Sequence, residues 1–180
     1  MNQDISKIYS FFAMNYSDTI DSFMNISLNS VDGTSFVAAT ETAYNFDRIV
    51  RKYYNDPPYS VDAIYLNDKI YLIEFKDSSI EERKDKLKRI LKVKLCSSLL
   101  LLQNLISEKC SSNIKNIKIH YLVVLNSNKN PKMTRAAALM NISHINNGLL
   151  SSYECKVNGV RVYCDKCIIC NELNFLNYLT

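Results

Sequence analysis

Residues 60–76, with the sequence SVDAIYLNDKIYLIEFK, decide the fold of this 180-residue chain. Two runs rich in β-branched and aromatic side chains, 60–66 and 70–76, flank the polar triplet Asn67-Asp68-Lys69. Short runs of this composition, bounded by turn residues, predict an antiparallel hairpin. Apolar side chains occupy both faces of the second run, so we expect that strand to be buried on both sides.

Three charged residues, Asp62, Glu74 and Lys76, lie in this predicted hairpin. Glu74 and Lys76 project to the same face because side chains alternate along a strand. The three-residue loop 67–69 pairs Leu66 with Ile70, and therefore pairs Asp62 with Glu74, so that both carboxylates share one face. A two-residue loop would turn Glu74 to the opposite face. We predict the first register.

Charges on a buried strand are costly unless they are paired or bound to a metal, which leaves two interpretations. In the structural one, Lys76 forms an ion pair with Glu74 or Asp62 and closes the edge of a sheet. In the chemical one, the two carboxylates and the main-chain carbonyl of Phe75 form an oxygen site suited to Mg²⁺ or Mn²⁺. Lys76 would then position or deprotonate a water, and the metal would neutralise charge on a phosphate oxygen.

The segments on either side of the hairpin predict helices and further strands. Residues 4–28 predict one or two amphipathic helices. Apolar residues at spacings of four, three, four and three predict a helix from about 40 to 54, which Pro57 and Pro58 end. That stripe consists of Ala39, Ala43, Phe46, Val50 and Tyr53.

The second half of the chain continues the alternation of helices and strands. We expect a long helix over 79–107, a central strand over 117–125, a polar loop over 126–131, a helix over 132–147, and a hairpin of 153–157 with 160–163 around Asn158-Gly159. This order predicts a single α/β domain with a mixed central sheet flanked by helices.

Asp62, eleven intervening residues and then Glu74-Phe75-Lys76 resemble the PD-(D/E)xK nuclease superfamily, which has the restriction-endonuclease-like fold. In that superfamily an aspartate begins the second core strand, the (D/E)xK triplet ends the third, and a long helix follows. The resemblance covers roughly residues 38–125. It implies a Mg²⁺- or Mn²⁺-dependent endo- or exonuclease in which Asp62 and Glu74 hold the metal and Lys76 orients the attacking water.

The resemblance also implies two supporting residues on helices. An acid on the preceding helix often completes the metal site; Glu41 is the best placed, and Asp47 is the alternative. A polar or basic residue on the following helix often supports catalysis, and Lys94 matches that position, with an expected contact to phosphate. Ser60-Val61 departs from the superfamily, which often has proline before the aspartate.

The net charge of +4 is unevenly divided along the chain. Residues 1–80 have 6 basic and 11 acidic side chains, whereas residues 81–180 have 16 basic and 7 acidic ones. Such asymmetry is a hint of nucleic-acid contact. Lys84, Lys88 and Lys92 on the long helix are the expected contacts to a phosphate backbone, and a solvated helix face is the alternative.

Several other classes of protein are disfavoured by the sequence. The apolar runs are far shorter than the roughly 20 residues of a membrane span, and the N-terminus does not resemble a signal peptide, so we expect a cytoplasmic protein with reduced cysteines and no membrane contact. With three glycines, no phosphate-binding glycine loop is present.

The cysteines near the C-terminus are a weaker signal. Cys155, Cys164, Cys167 and Cys170 could in principle bind zinc or an iron–sulfur cluster. Structural zinc sites usually have two separate Cys-x-x-Cys pairs, and here the cysteines overlap a strand-like pattern in which Cys164 and Cys167 would face opposite ways. We therefore expect buried free thiols.

Two function hypotheses follow from the sequence. The first is a metal-dependent nuclease, with DNA rather than RNA as the expected substrate and with a homodimer or a partner subunit supplying specificity. The second is a module that keeps the nuclease fold but only binds nucleic acid or another protein. The intact set of Asp62, Glu74 and Lys76 favours the enzyme, because a binding module has no need of a costly buried charge cluster.

Overall fold

The structure is a computed structural model that describes residues 3–29, 33–79, 84–110, 114, 117–131, 153–157 and 160–179. For residues 84, 85, 88, 153–157 and 160–163 it describes the backbone alone. The helices are α1 (Gln3–Asn15), α2 (Phe23–Ile26), α3 (Phe46–Arg51) and α4 (Lys84–Lys109). The strands are β1 (Ile20–Ser22), β2 (Thr42–Asn45), β3 (Ala63–Leu66), β4 (Ile70–Lys76), β5 (Ile119–Leu125), β6 (Tyr153–Val157), β7 (Val160–Cys164) and β8 (Lys166–Asn171).

Six of these strands form one mixed sheet in the order β1-β2-β3-β4-β5-β8. The pairs β1–β2, β2–β3 and β3–β4 are antiparallel, whereas the pairs β4–β5 and β5–β8 are parallel. The helix α4 makes the crossover from β4 to the parallel strand β5, as a parallel connection requires. The predicted architecture, one α/β domain with a mixed sheet flanked by helices, is confirmed at this level.

The hairpin of β3 and β4 has the predicted register. Leu66 pairs with Ile70 and Ala63 pairs with Ile73. Both faces of β4 are buried, also as predicted, and they belong to two separate clusters. One face packs with residues of α1, α3 and α4, and the other packs with Phe23 of α2 and with Phe175 near the C-terminus.

Helix α4 packs along the sheet through a stripe of fully buried side chains. The stripe consists of Leu91, Leu95, Leu99, Leu102 and Ile106. The spacing of four, four, three and four residues places them on one side of the helix. By length and composition the segment Arg89–Lys109 could also span a membrane, a property that the short apolar runs of the sequence did not indicate. In this structure its apolar stripe contributes to the core.

The helix predicted from about 40 to 54 is wrong over its first half. Thr42–Asn45 form β2, and the helix α3 begins only at Phe46, where the Asn45 side chain accepts a hydrogen bond from the Arg48 N–H and caps it. The apolar spacing gave the wrong prediction because its residues do not share one face: Ala43 packs on one face of the sheet and Phe46 on the other.

The ends of the sheet contain β1, which the sequence did not predict, and β8, where the sequence shows only a strand-like pattern around the cysteines. The segment 4–28, expected to be helical, contains β1 between α1 and α2, and β1 pairs with β2. Strand β8 adds to the sheet beside β5 and is parallel to it. The expected hairpin of β6 and β7 is present, with Val157 paired to Val160, and Asn158-Gly159 lies outside the described residues. The helix predicted over 132–147 lies outside the described residues.

Candidate active site

Asp62 immediately precedes β3 and is fixed through both its main chain and its side chain. Its carbonyl oxygen accepts a hydrogen bond from the Phe46 N–H at 2.9 Å, which ties it to the start of α3. Its Oδ2 atom accepts a hydrogen bond from the Phe75 N–H at 2.6 Å. Asp62 therefore has one oxygen bound to the end of β4, and its other oxygen, Oδ1, accepts a hydrogen bond from the Lys94 Nζ.

Glu74 lies near the end of β4, with β3 on one side and β5 on the other, and its side chain is 0% exposed. Its Oε1 and Oε2 atoms accept hydrogen bonds from the Lys94 Nζ at 2.8 Å and 2.9 Å. The Lys76 Nζ lies 2.5 Å from Oε1. Two ammonium groups thus compensate one buried carboxylate.

Lys94 joins the two carboxylates from the side of α4. Its Nζ lies 3.3 Å from the Asp62 Oδ1 as well as within hydrogen-bond distance of Glu74. One turn later on the same helix, the fully buried Ser98 Oγ accepts a hydrogen bond from the Val61 N–H at 2.9 Å. Together these contacts hold α4 against the start of β3.

The electrostatics of this cluster are dominated by burial. Burial, with the nearby negative charge of Asp62 as the next cause, raises the pKa of Glu74 to about 7. Burial alone would lower the pKa of Lys94, but Asp62 and Glu74 together raise it above its ordinary value. The cluster therefore contains an ammonium group that stays charged and a carboxyl group that titrates near neutral pH.

The structure does not bring Glu41 into the cluster. The expectation required a helix beginning near Thr40, but Glu41 precedes a strand and is exposed, and its carbonyl oxygen accepts a hydrogen bond from Phe23. The acid that approaches the cluster is Asp47 of α3, which accepts a hydrogen bond from the Ser60 hydroxyl. Burial, and then the charge of Asp62, raise the pKa of Asp47.

A cleft of about 490 Å³ opens beside the cluster. Asp62 and Lys76 line it, and so do the residues that follow β4. Asp77 at its rim accepts hydrogen bonds from the Lys129 Nζ at 2.7 Å and from the Asn126 Nδ2 at 2.6 Å. A molecule in this cleft would contact Asp62 and Lys76 directly, whereas Glu74 lies beneath them.

The chemistry of the donor set fits a divalent cation in part. Carboxylate oxygens of Asp62 and Glu74 both approach one nitrogen, the Lys94 Nζ, so a positive charge already lies between them. Mg²⁺ prefers such oxygen ligands. Among the described residues, no group of three or more His, Cys, Asp or Glu side chains is placed to hold a metal. An ion here would complete its shell with water or a main-chain carbonyl such as that of Phe75.

The three lysines expected to contact nucleic acid all lie on one helix. Lys84, Lys88 and Lys92 are on α4; Lys92 is half-buried, and the other two are described by their backbone alone. Their contact with nucleic acid stays a prediction.

The described C-terminal cysteines are buried free thiols: Cys164, Cys167 and Cys170. The expectation that Cys164 and Cys167 face opposite ways is wrong, because the chain turns between β7 and β8 and brings their sulfur atoms to 3.7 Å. Only the backbone of Cys155 is described. Cys96 forms a disulfide bond, so the expectation that all cysteines stay reduced is also wrong.

Sequence reasoning missed two polar contributors to this region. Ser98 could have been found as the polar residue four positions after Lys94 within an apolar stretch of helix, where it shares a face with the lysine. The Tyr121 hydroxyl, on the same side of the sheet as Glu74, is buried without a hydrogen-bond partner in the described part of the chain. Its neighbours depend on strand pairing, and no local pattern marks it.

Comparisons with protein-family models, with curated proteins and with solved structures found no match for this chain.

Proposed function

We propose that this protein is a metal-dependent nuclease that hydrolyses phosphodiester bonds, with DNA as the expected substrate. The observation that carries the proposal is the meeting of the Asp62 and Glu74 carboxylates with Lys76 and Lys94 beside an open cleft. A cluster of buried charges is costly for stability, and strongly perturbed titrating groups in a cleft are typical of functional sites.

The order of the elements around the cluster supports the restriction-endonuclease-like fold. Strands β2, β3 and β4 form an antiparallel meander, in which Asp62 precedes the second strand and Glu74-Phe75-Lys76 ends the third. The helix α4 follows and leads into the parallel strand β5. This is the arrangement that the resemblance to PD-(D/E)xK nucleases implies.

Each residue of the cluster has a different role in the proposed reaction. Asp62 Oδ1 and the Glu74 carboxylate would hold the cation, and a bound Mg²⁺ or Mn²⁺ supplies charge neutralisation and an acidified water. Lys76, which lines the cleft and also contacts Glu74, orients the attacking water. Lys94 keeps the two carboxylates together and offsets their repulsion. Asp47 replaces Glu41 as the supporting acid.

The pKa of about 7 at Glu74 gives the reaction a pH dependence. A carboxyl group must be ionised to bind a metal ion, so metal affinity increases as the pH increases through that pKa. We expect cleavage at low metal concentration to rise between about pH 6 and pH 8, and we expect saturating metal to shift this rise to lower pH.

The test is incubation of the protein with supercoiled DNA, linear duplex DNA, single-stranded DNA and RNA, in Mg²⁺, Mn²⁺ or EDTA. Asp62→Asn is the variant, and Asp68→Asn, which alters an exposed carboxylate in the hairpin loop, is the matched control. Metal-dependent cleavage by the wild type and the control but not by Asp62→Asn supports the proposal. Cleavage in EDTA, or equal cleavage by all three proteins, contradicts it.

A second candidate function is a non-catalytic module that binds nucleic acid or a protein. It is favoured by the charge balance of the cluster, in which two carboxylates face two ammonium groups and need no metal for compensation. If this candidate is correct, the protein cuts none of the substrates, and its affinity for nucleic acid is unchanged by EDTA.

A further inference from the structure

The cleft beside Asp62 lies where open sheets commonly bind ligands. Strands β4 and β5 run parallel, and Lys76 and Leu125 are paired at their ends. Ligands of open α/β sheets bind outside the carboxyl ends of parallel strands. The cleft occupies this position next to β4 and includes Phe75, Lys76, Asp77 and Ser78 in its lining.

The lining of the cleft is divided into an apolar wall and a charged rim. Phe36 is half-buried, and its ring packs edge-on against the ring of Phe75, with the centroids 6.4 Å apart. Ile26 and Leu28 extend this apolar wall. The charged side consists of two lysines and two aspartates: Asp62 and Lys76 belong to the proposed active site, and Lys129 is held in place by Asp77.

Size and chemistry together restrict the occupant. A volume of about 490 Å³ is in the range of pockets that enclose a small organic molecule. A nucleic-acid duplex, whose major groove alone is about 12 Å wide, does not fit into such a space. An aromatic ring in the same lining as two lysines matches a single nucleotide, because proteins bind unpaired bases by stacking them on aromatic side chains while basic groups contact the backbone.

We propose that this cleft binds an unpaired base of the strand that is cut, with Phe36 as the stacking residue. The preferred substrate is then nucleic acid that is single-stranded at the cleavage position. The inference rests on the proposed nuclease function, which it deepens by naming the substrate class. Phe36 acts as a positioning residue, since the reacting phosphate would lie at Asp62 and Lys76.

The test measures binding in EDTA, where metal-dependent cleavage cannot occur. The probes are a fluorescent single-stranded oligonucleotide, the same strand with one base removed at each position in turn, and the same strand in a duplex. We expect the intact single strand to bind most tightly and loss of the base at one position to weaken binding by roughly tenfold, the usual effect of one stacked base.

Two variants test whether the loss of affinity on base removal arises in the cleft. Phe36→Leu keeps an apolar side chain against Phe75 but removes the ring, and we expect it to bind the intact and the base-deleted strands equally well. Tyr9→Leu removes an aromatic ring that is 51% exposed on α1 and does not line the cleft, and it should keep the discrimination. Thermal unfolding of both variants checks that they are folded.

Equal affinity for intact and base-deleted strands, affinity for the duplex as high as for the single strand, or discrimination that survives in Phe36→Leu would overturn the inference. Failure of the nuclease function has a different signature. If the protein discriminates the base in EDTA but cuts nothing with Mg²⁺, the base-binding cleft is supported and the nuclease function is contradicted. If the protein cuts without base discrimination, only the base-binding cleft is contradicted.

Discussion

Replacing Glu74 by Gln should stabilise the protein relative to the wild type as the pH rises. The free energy of unfolding of the variant minus that of the wild type should be larger at neutral and alkaline pH than at acidic pH. The amide has the shape of the protonated carboxyl group and stays neutral. The wild-type carboxyl group is fully buried, and its pKa is raised from 4.5 to about 7 by burial and by Asp62. The variant therefore removes one titration and leaves the packing of β4 in place.

The magnitude follows from linkage between protonation and folding. Between pH 4.5 and 7 the folded wild type keeps a proton at Glu74 that the unfolded chain has released, so its free energy of unfolding falls as the pH rises. A shift of that size costs about 3 kcal/mol in total at 1.36 kcal/mol per unit. The loss is complete above about pH 7, and about 2 kcal/mol of it develops between pH 5.5 and pH 8.

Urea unfolding of the wild type and Glu74→Gln from pH 5.5 to pH 8 measures this difference. A constant offset between the two proteins reflects the altered contacts with the lysines, and only the change of the difference with pH reports the titration. Glu108→Gln, which alters an exposed carboxylate on α4, is the control and should give curves parallel to the wild type. Parallel curves for Glu74→Gln as well would refute the buried, raised-pKa carboxyl group.

Three further substitutions test neighbouring contacts. Lys94→Met leaves Asp62 and Glu74 without their shared ammonium group, and we expect urea unfolding to detect a loss of about 3–5 kcal/mol at pH 8 and a smaller loss at pH 5.5, where Glu74 is protonated. Ser98→Ala leaves the Val61 N–H without its acceptor and should cost about 1–3 kcal/mol at both pH values in the same assay. Asp47→Asn should slow metal-dependent cleavage more than Glu41→Gln does, and the reverse order would restore Glu41 to the site.

The hairpin that holds the site could be predicted because its determinants are local. The loop 67–69 fixes the pairing of Leu66 with Ile70, and strand alternation then fixes which side chains share a face. The apolar residues on both faces of 70–76 indicated a strand buried on both sides. Neither feature depends on distant parts of the chain.

The segment around Glu41 could not be predicted because its determinants are tertiary. Spacings of three and four residues suit a helix. Here, however, Ala43 belongs to β2, which pairs with β1 on one side and with β3 on the other. The helix α3 begins only after its cap at Asn45. Helical periodicity cannot distinguish a helical face from a strand that is followed by a helix packed on the other side of the sheet. The predicted helix start made Glu41 the first candidate for the supporting acid and Asp47 the alternative, whereas the structure brings Asp47 and not Glu41 towards the cluster.

The charge pairing of the site was predicted in composition but not in geometry. The sequence suggested that Lys76 pairs with a carboxylate and that Lys94 faces phosphate. The structure places Lys94 between both carboxylates, and Ser98, one turn later on α4, accepts a hydrogen bond from the Val61 N–H just before β3. That contact depends on how α4 lies across the sheet, and no spacing within either element encodes it.

The single-turnover rate of Mg²⁺-dependent phosphodiester cleavage, compared between the wild type and Lys76→Met, tests the central claim most directly. Lys76 lines the cleft and contacts Glu74, and a residue that orients or activates the attacking water contributes about 10²- to 10⁴-fold to the rate. We predict that the wild type cuts and that the folded variant is slower by at least about a hundredfold. Equal rates for the two proteins, or no cleavage by the wild type on any nucleic acid, would contradict the assignment of this cluster as a nuclease active site.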